Sequence, residues 1–144
     1  KAFVERHTSS IGVIYPTFEE YPNRLKPEQI VTHQAQCPDF SYSADDLMTY
    51  FADKDIQSLL LINPDNPTGN YIPYADCLRL ADWCQQRNIL FVLDESFIDF
   101  SVEHPTFFKD DILEQYSNLV VIKSISKSIE SLSSCFSPLK QSQL

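Results

Sequence analysis

Three short, unbroken apolar runs, Leu59–Ile62, Ile89–Leu93 and Leu119–Ile122, each stop at a polar cluster. None alternates with polar residues, so neither side of these segments is meant for water. Such runs suit strands of a parallel sheet that is covered on both faces. Between the first two lies Pro73–Arg87, where Leu78, Ala81, Trp83 and Cys84 form the apolar face of a helix and Pro73 suits its first turn. A strand, a helix and a strand at this spacing make a parallel crossover. In open parallel sheets the strand C-termini share one edge, and ligands bind there. The clusters Asn63–Asn70, Asp94–Asp99 and Lys123–Ser128 therefore meet on a single rim.

The remainder of the chain is consistent with this layout. Ser10–Tyr15 reads as a buried strand ended by Pro16, which has no backbone donor to continue a ladder. It leads into an aromatic turn, PTFEEYP. Ile30–Gln34 is a weaker strand candidate. Ser43 is suited to cap a helix over Ala44–Ala52 that begins with two acidic residues. The charged stretch before Leu119 reads as a mobile connection, and the Ser-rich last 16 residues have no clear period and read as poorly packed. No internal repeat is present. The expected architecture is an α/β three-layer sandwich with a mainly parallel sheet.

Composition removes several functions. The 144 residues include only two glycines, Gly12 and Gly69, too far apart for any glycine-rich phosphate loop. A net charge of −9 with scattered Lys and Arg argues against nucleic acid, whose nonspecific binding needs clustered cations. Cys37, Cys77, Cys84 and Cys135 lack C-x-x-C spacing and read as reduced thiols; Cys77 and Cys84 fall on one helix face, where a thiol packs as a small hydrophobe. His7, His33 and His104 are isolated from them, so no metal site is expected. No run approaches the roughly 18 apolar residues of a membrane span, and no leader pattern stands at the N-terminus. A soluble cytoplasmic protein is the expectation.

The rim holds chemistry. Lys127, flanked by Ser124, Ser126 and Ser128, could form a Schiff base with a carbonyl cofactor. Asp94, ending an apolar strand, could pair with a protonated pyridine nitrogen. Singly, each also reads as an ordinary surface lysine and an ordinary turn or cap acid. Together, Asn63-Pro64-Asp65-Asn66-Pro67-Thr68-Gly69, then Asp94-Glu95-Ser96-Phe97, then Ser124-Ile125-Ser126-Lys127 resemble the fold-type I pyridoxal-phosphate aminotransferases of class I/II. The branch most resembled contains histidinol-phosphate aminotransferases and threonine-phosphate decarboxylases. The resemblance runs from about Ile11 to Ser128, the middle of the family's longer chain.

This resemblance implies pyridoxal 5'-phosphate as cofactor, a small amino-acid substrate and, for a complete family member, a homodimer. It implies that Lys127 anchors the cofactor and shuttles the proton. Asp94 would keep the pyridine nitrogen protonated, Asn66 would donate to the phenolic oxygen, and Ser124 and Ser126 would bind the phosphate. Phe18 would stack on the ring, with Tyr21 near Asp94; core packing is the alternative for both. Phe97 stands where the family usually has a tyrosine, a departure that the decarboxylase-like members tolerate. After Ser128 neither the family's Gly-x-x-Gly-x-Arg segment nor its phosphate-clamping arginine follows. Residues 1–128 are thus expected to be part of a cofactor-binding large domain, and 129–144 a divergent tail. A frameshift or gene-prediction error would produce such a break, and a natural truncated protein is the alternative; the other reading frames of the DNA decide. The functions expected are an aminotransferase, a related decarboxylase, or a noncatalytic fragment keeping part of the cofactor site.

Overall fold

The computed structural model describes residues 10–98 and 105–124. They form one five-stranded, wholly parallel sheet. Its strands are β1 (Ile11–Tyr15), β2 (Ile30–Gln34), β3 (Ser58–Ile62), β4 (Leu90–Asp94) and β5 (Leu119–Ile122), in the order β2-β1-β3-β4-β5. The chain leaves β1 towards one edge and returns beside it to build towards the other. This reversal places a switch point between β1 and β3, the position where ligands bind in open parallel sheets.

Each apolar run anticipated from the sequence is a strand; Leu119–Ile122 keeps its bounds, and the other two shift by a residue. Ser58 joins β3, and β4 extends through Asp94, which is therefore the last strand residue rather than the first of the turn. Helix α1 (Ala44–Phe51) begins at the expected cap: the Ser43 hydroxyl accepts from the Asp46 amide at 3.2 Å, and the Ser43 amide donates back to the Asp46 carboxylate at 2.8 Å. Helix α2 (Tyr74–Gln86) is followed, after its cap Arg87, by Asn88, whose φ of 56° is the left-handed conformation asparagine tolerates. The Ile89 amide then returns to the Cys84 carbonyl at 2.9 Å.

The charged stretch before β5 corrects the sequence reading. It contains a helix, α3 (Asp110–Gln115), where a mobile connection was expected. Two acids in its first turn favour the positive end of the helix, and Ile112 fixes it to the core.

The two sheet faces are covered differently. Ile14, Leu59, Leu61, Phe91, Leu93 and Leu119 face α1, α2 and α3 and form the larger core with Leu47, Phe51, Leu80 and Ile112. Gly12 belongs to this face: a Cβ there would lie 2.8 Å from Phe51 Cε1 and 3.1 Å from both Ile56 Cδ1 and Leu59 Cδ1. Its missing side chain lets α1 approach the sheet. Cys77 and Cys84 are buried free thiols on α2, their pKa values pushed up to about 12 by desolvation, so they remain unreactive packing groups. On the opposite face Ile11, Val13, Leu60 and Val92 pack against Tyr21, Leu25 and Ile30. There the third layer consists, among the described residues, of the β1–β2 connection with its short 3-10 turns Pro22–Arg24 and Pro27–Gln29.

Candidate functional site

Asp94 stands on this second face. It follows Val92 by two residues and so shares its side of β4. It pairs in register with Ile62 of β3 and Ile122 of β5, so three adjacent strands end on one rung. The Asn63 amide donates to the Asp94 carbonyl at 2.9 Å and the Glu95 amide to the Ile122 carbonyl at 2.8 Å, which ties the three exits together. The single rim expected from the sequence is present.

The Asp94 carboxylate is only 5% exposed and accepts three hydrogen bonds. The Tyr21 hydroxyl donates to Oδ2 at 2.5 Å; the Ser96 amide and hydroxyl donate to Oδ1 at 2.9 and 2.5 Å. Among the described residues no cation forms an ion pair with it. Tyr21 reaches it from the turn after β1, where its amide closes on the Phe18 carbonyl at 3.3 Å. Burial, then the bond to Asp94 and the charges of Asp94 and Glu20, hold the Tyr21 hydroxyl far above the usual tyrosine range. It therefore remains a donor throughout the working pH range. Phe18 lies in the same turn and is 38% exposed, a large aromatic left facing solvent at the rim.

The loop after β3 is held from within. The Asn63 side chain donates to the Ile72 carbonyl at 2.9 Å and accepts from the Ile72 amide at 2.8 Å, pinning the two ends together. Inside, the buried Asp65 accepts from the Thr68 hydroxyl at 2.5 Å, and its backbone bonds to Asn70 and Gly69 at 2.8 and 3.0 Å. Gly69 takes φ 76°, a turn conformation that suits glycine. Desolvation raises the Asp65 carboxyl above its ordinary value, against the Thr68 bond. At the tip of this braced loop Asn66 is partly buried, and its side chain has no hydrogen-bond partner among the described residues.

Of the expected site residues, the structure joins Tyr21 and Asp94 directly and puts Phe18, Asn66 and Ser124 on the same rim. Ser124 is partly buried, two residues beyond Ile122. Ser126 and Lys127 lie outside the described residues. Three contributors were not singled out from the sequence. Ser96 grips Asp94, a role that its D-x-S spacing could have signalled, since an aspartate commonly bonds the backbone two residues on. Asn63 pins the loop. Glu95, 2% exposed, turns the other way and accepts from the Phe107 amide at 2.7 Å and from the Thr106 hydroxyl. Phe97 is partly buried and has no hydroxyl to offer the rim. Among the described residues no helix is long and apolar enough to cross a membrane.

A parallel sheet with a buried acid at its C-terminal rim is a ligand-binding α/β design, and comparison with known proteins identifies the kind. Residues 2–132 match the family aminotransferase class I and II, and the chain belongs to that family. A histidinol-phosphate aminotransferase of Vibrio cholerae serotype O1 is 33% identical over 128 residues, 88% of this chain and 35% of the relative. A CMP-5'-(3-aminopropyl)phosphonate synthase of Streptomyces rubellomurinus is 34% identical over 112 residues, 78% of this chain and 18% of that protein. Among solved structures, a decarboxylase from Sulfurospirillum multivorans superposes with a TM-score of 0.72 at 25% identity, over 88% of this chain and 37% of the other. The chain thus spans about a third of the length of the Vibrio relative and less of the Streptomyces one.

Proposed function

We propose that this chain carries part of a pyridoxal 5'-phosphate site and that the family-length protein transfers an amino group between a small amino acid and a 2-oxo acid. The observation that carries this reading is Asp94: a buried carboxylate held by neutral donors, with no cation paired to it among the described residues. Burying a carboxylate is costly unless something compensates its charge, and a protonated pyridine would do so. The Asn66 side chain, without a hydrogen-bond partner among the described residues, fits a ring oxygen on the same rim. When bound, the cofactor supplies an electron sink for the charge left as a proton leaves the substrate carbon.

The chain's own residues take separate tasks in this reading. Asp94 would hold the proton at the ring nitrogen, with Tyr21 Oη and Ser96 keeping its carboxylate in place. Asn66 Nδ2 would donate to the ring oxygen. Phe18 would cover the ring face and exclude water from it. The hydroxyls of Ser124 and Ser126 would bind the phosphate, and Lys127 Nζ would anchor the aldehyde carbon and carry the proton. Residues 1–128 are the proposed portion of the cofactor-binding domain, and the family-length protein is proposed to work as a homodimer.

A second reading is decarboxylation, favoured by Phe97 in place of a hydroxyl donor and by the likeness to the Sulfurospirillum decarboxylase. A third is cofactor binding without turnover. Adding pyridoxal 5'-phosphate and following its absorption tests the common part: a saturable shift is expected, absent in Lys127→Ala. A shift that survives in Lys127→Ala would remove Lys127 as the anchoring amine. Release of 2-oxo acid or of carbon dioxide from an added amino acid separates the first two readings, and neither product with any donor leaves the third.

A further inference from the structure

An ionised carboxylate offers two lone pairs on each oxygen. On Asp94 these are unevenly taken. Both Oδ1 sites are filled by one residue, through the Ser96 amide at 2.9 Å and its hydroxyl at 2.5 Å. Among the described residues Oδ2 accepts only the Tyr21 hydroxyl, at 2.5 Å, and keeps one lone pair. No other described residue donates to this side chain, which is almost wholly buried.

We infer that Ser96 is a positioning residue: by filling Oδ1 it directs the N–H of a protonated aromatic ring onto Oδ2, beside the Tyr21 hydroxyl. This inference rests on the cofactor reading above and adds to it which oxygen is used and which residue decides. Two consequences follow. The ring is kept from sliding across the carboxylate, because the described residues leave only one lone pair open to it. The ring proton also competes with donors already drawing on the same negative charge, so it is held less tightly than by a bare carboxylate. Tyr21 competes on the very oxygen used, and Ser96 through the other.

Pyridoxal 5'-phosphate labelled with 15N in the ring, bound to the full chain, gives the test through the NMR resonance of its ring N–H proton. The account expects that proton to move downfield in Ser96→Ala, as the bond to Asp94 tightens, and further downfield in Tyr21→Phe. Ser96→Thr, which keeps the hydroxyl, should restore the original position. The Thr variant also guards against a Ser96→Ala protein that fails to fold, because a resonance displaced in Ser96→Thr from its wild-type position would by itself overturn the role of the hydroxyl. An unmoved or upfield proton in Ser96→Ala overturns the inference while leaving the cofactor reading standing. No N–H proton in the wild type, or one unchanged in Asp94→Asn, overturns both.

Discussion

The two faces of the sheet are made from the same five strands and are built for different ends. The helix-covered face is apolar and closely packed, down to a glycine at position 12 that leaves no room for a methyl group. The other face has a smaller core, covered among the described residues by one irregular connection, and ends in a buried acid gripped by a tyrosine and a serine. The first spends its side chains on stability. The second uses that rigidity to fix Asp94 and the braced Asn66 loop, at some cost in buried polar groups. A pre-organised site of the proposed kind depends on a rigid support, which the reverse side of the same strands would supply.

If this division is right, damage to the two faces should separate in kind. The largest loss of stability is expected from Phe91→Ala on the helix side, about 3–5 kcal/mol by chemical denaturation, since a fully buried ring leaves a cavity behind. Asn63→Ala should come next, at roughly 2–3 kcal/mol, because it orphans the buried backbone groups of Ile72 that its side chain satisfies. Gly12→Ala should cost about 1–3 kcal/mol, as the added methyl must displace Phe51. An unchanged denaturation midpoint for Gly12→Ala would break the picture of a face without slack.

The smallest effect concerns pH. His33 packs edge-on against Tyr50 at 4.7 Å between ring centroids, and desolvation lowers its pKa below 6.5, opposed by the charge of Asp46. The unfolded chain then binds the proton more readily than the folded one, so the His33 contribution to stability is present above pH 6.5 and lost as pH falls through the folded value. Denaturation between pH 5 and 8 should show this fall in the wild type and a flatter profile in His33→Gln.

Much of the framework is legible in the sequence because β3, β4 and β5 are apolar on both sides, a pattern that only a doubly covered strand needs. The same uniformity hides which face is which: nothing in Leu59–Ile62 or Leu90–Leu93 says where the helices lie, and so on which side Asp94 would emerge. Helix α3 escaped notice because six residues with one buried side chain carry little period. Asn66 and Asp94 stand out as members of a motif, whereas Ser96 and Asn63 act through hydrogen bonds to a carboxylate and to a backbone several residues away. Those partnerships depend on the folded path of the chain. Tyr21 lies between the two cases: its place near Asp94 follows from the family resemblance, and its donor role from the structure.

The central proposal is that the second face binds the cofactor through the Asp94 carboxylate. Titration of pyridoxal 5'-phosphate into the wild type and Asp94→Asn, with thermal melts of both without cofactor, tests it directly. An affinity weakened by about tenfold or more is expected in the variant, the scale of a lost charge-assisted hydrogen bond, with the melts showing that the variant is folded at the titration temperature. Equal affinities would contradict it.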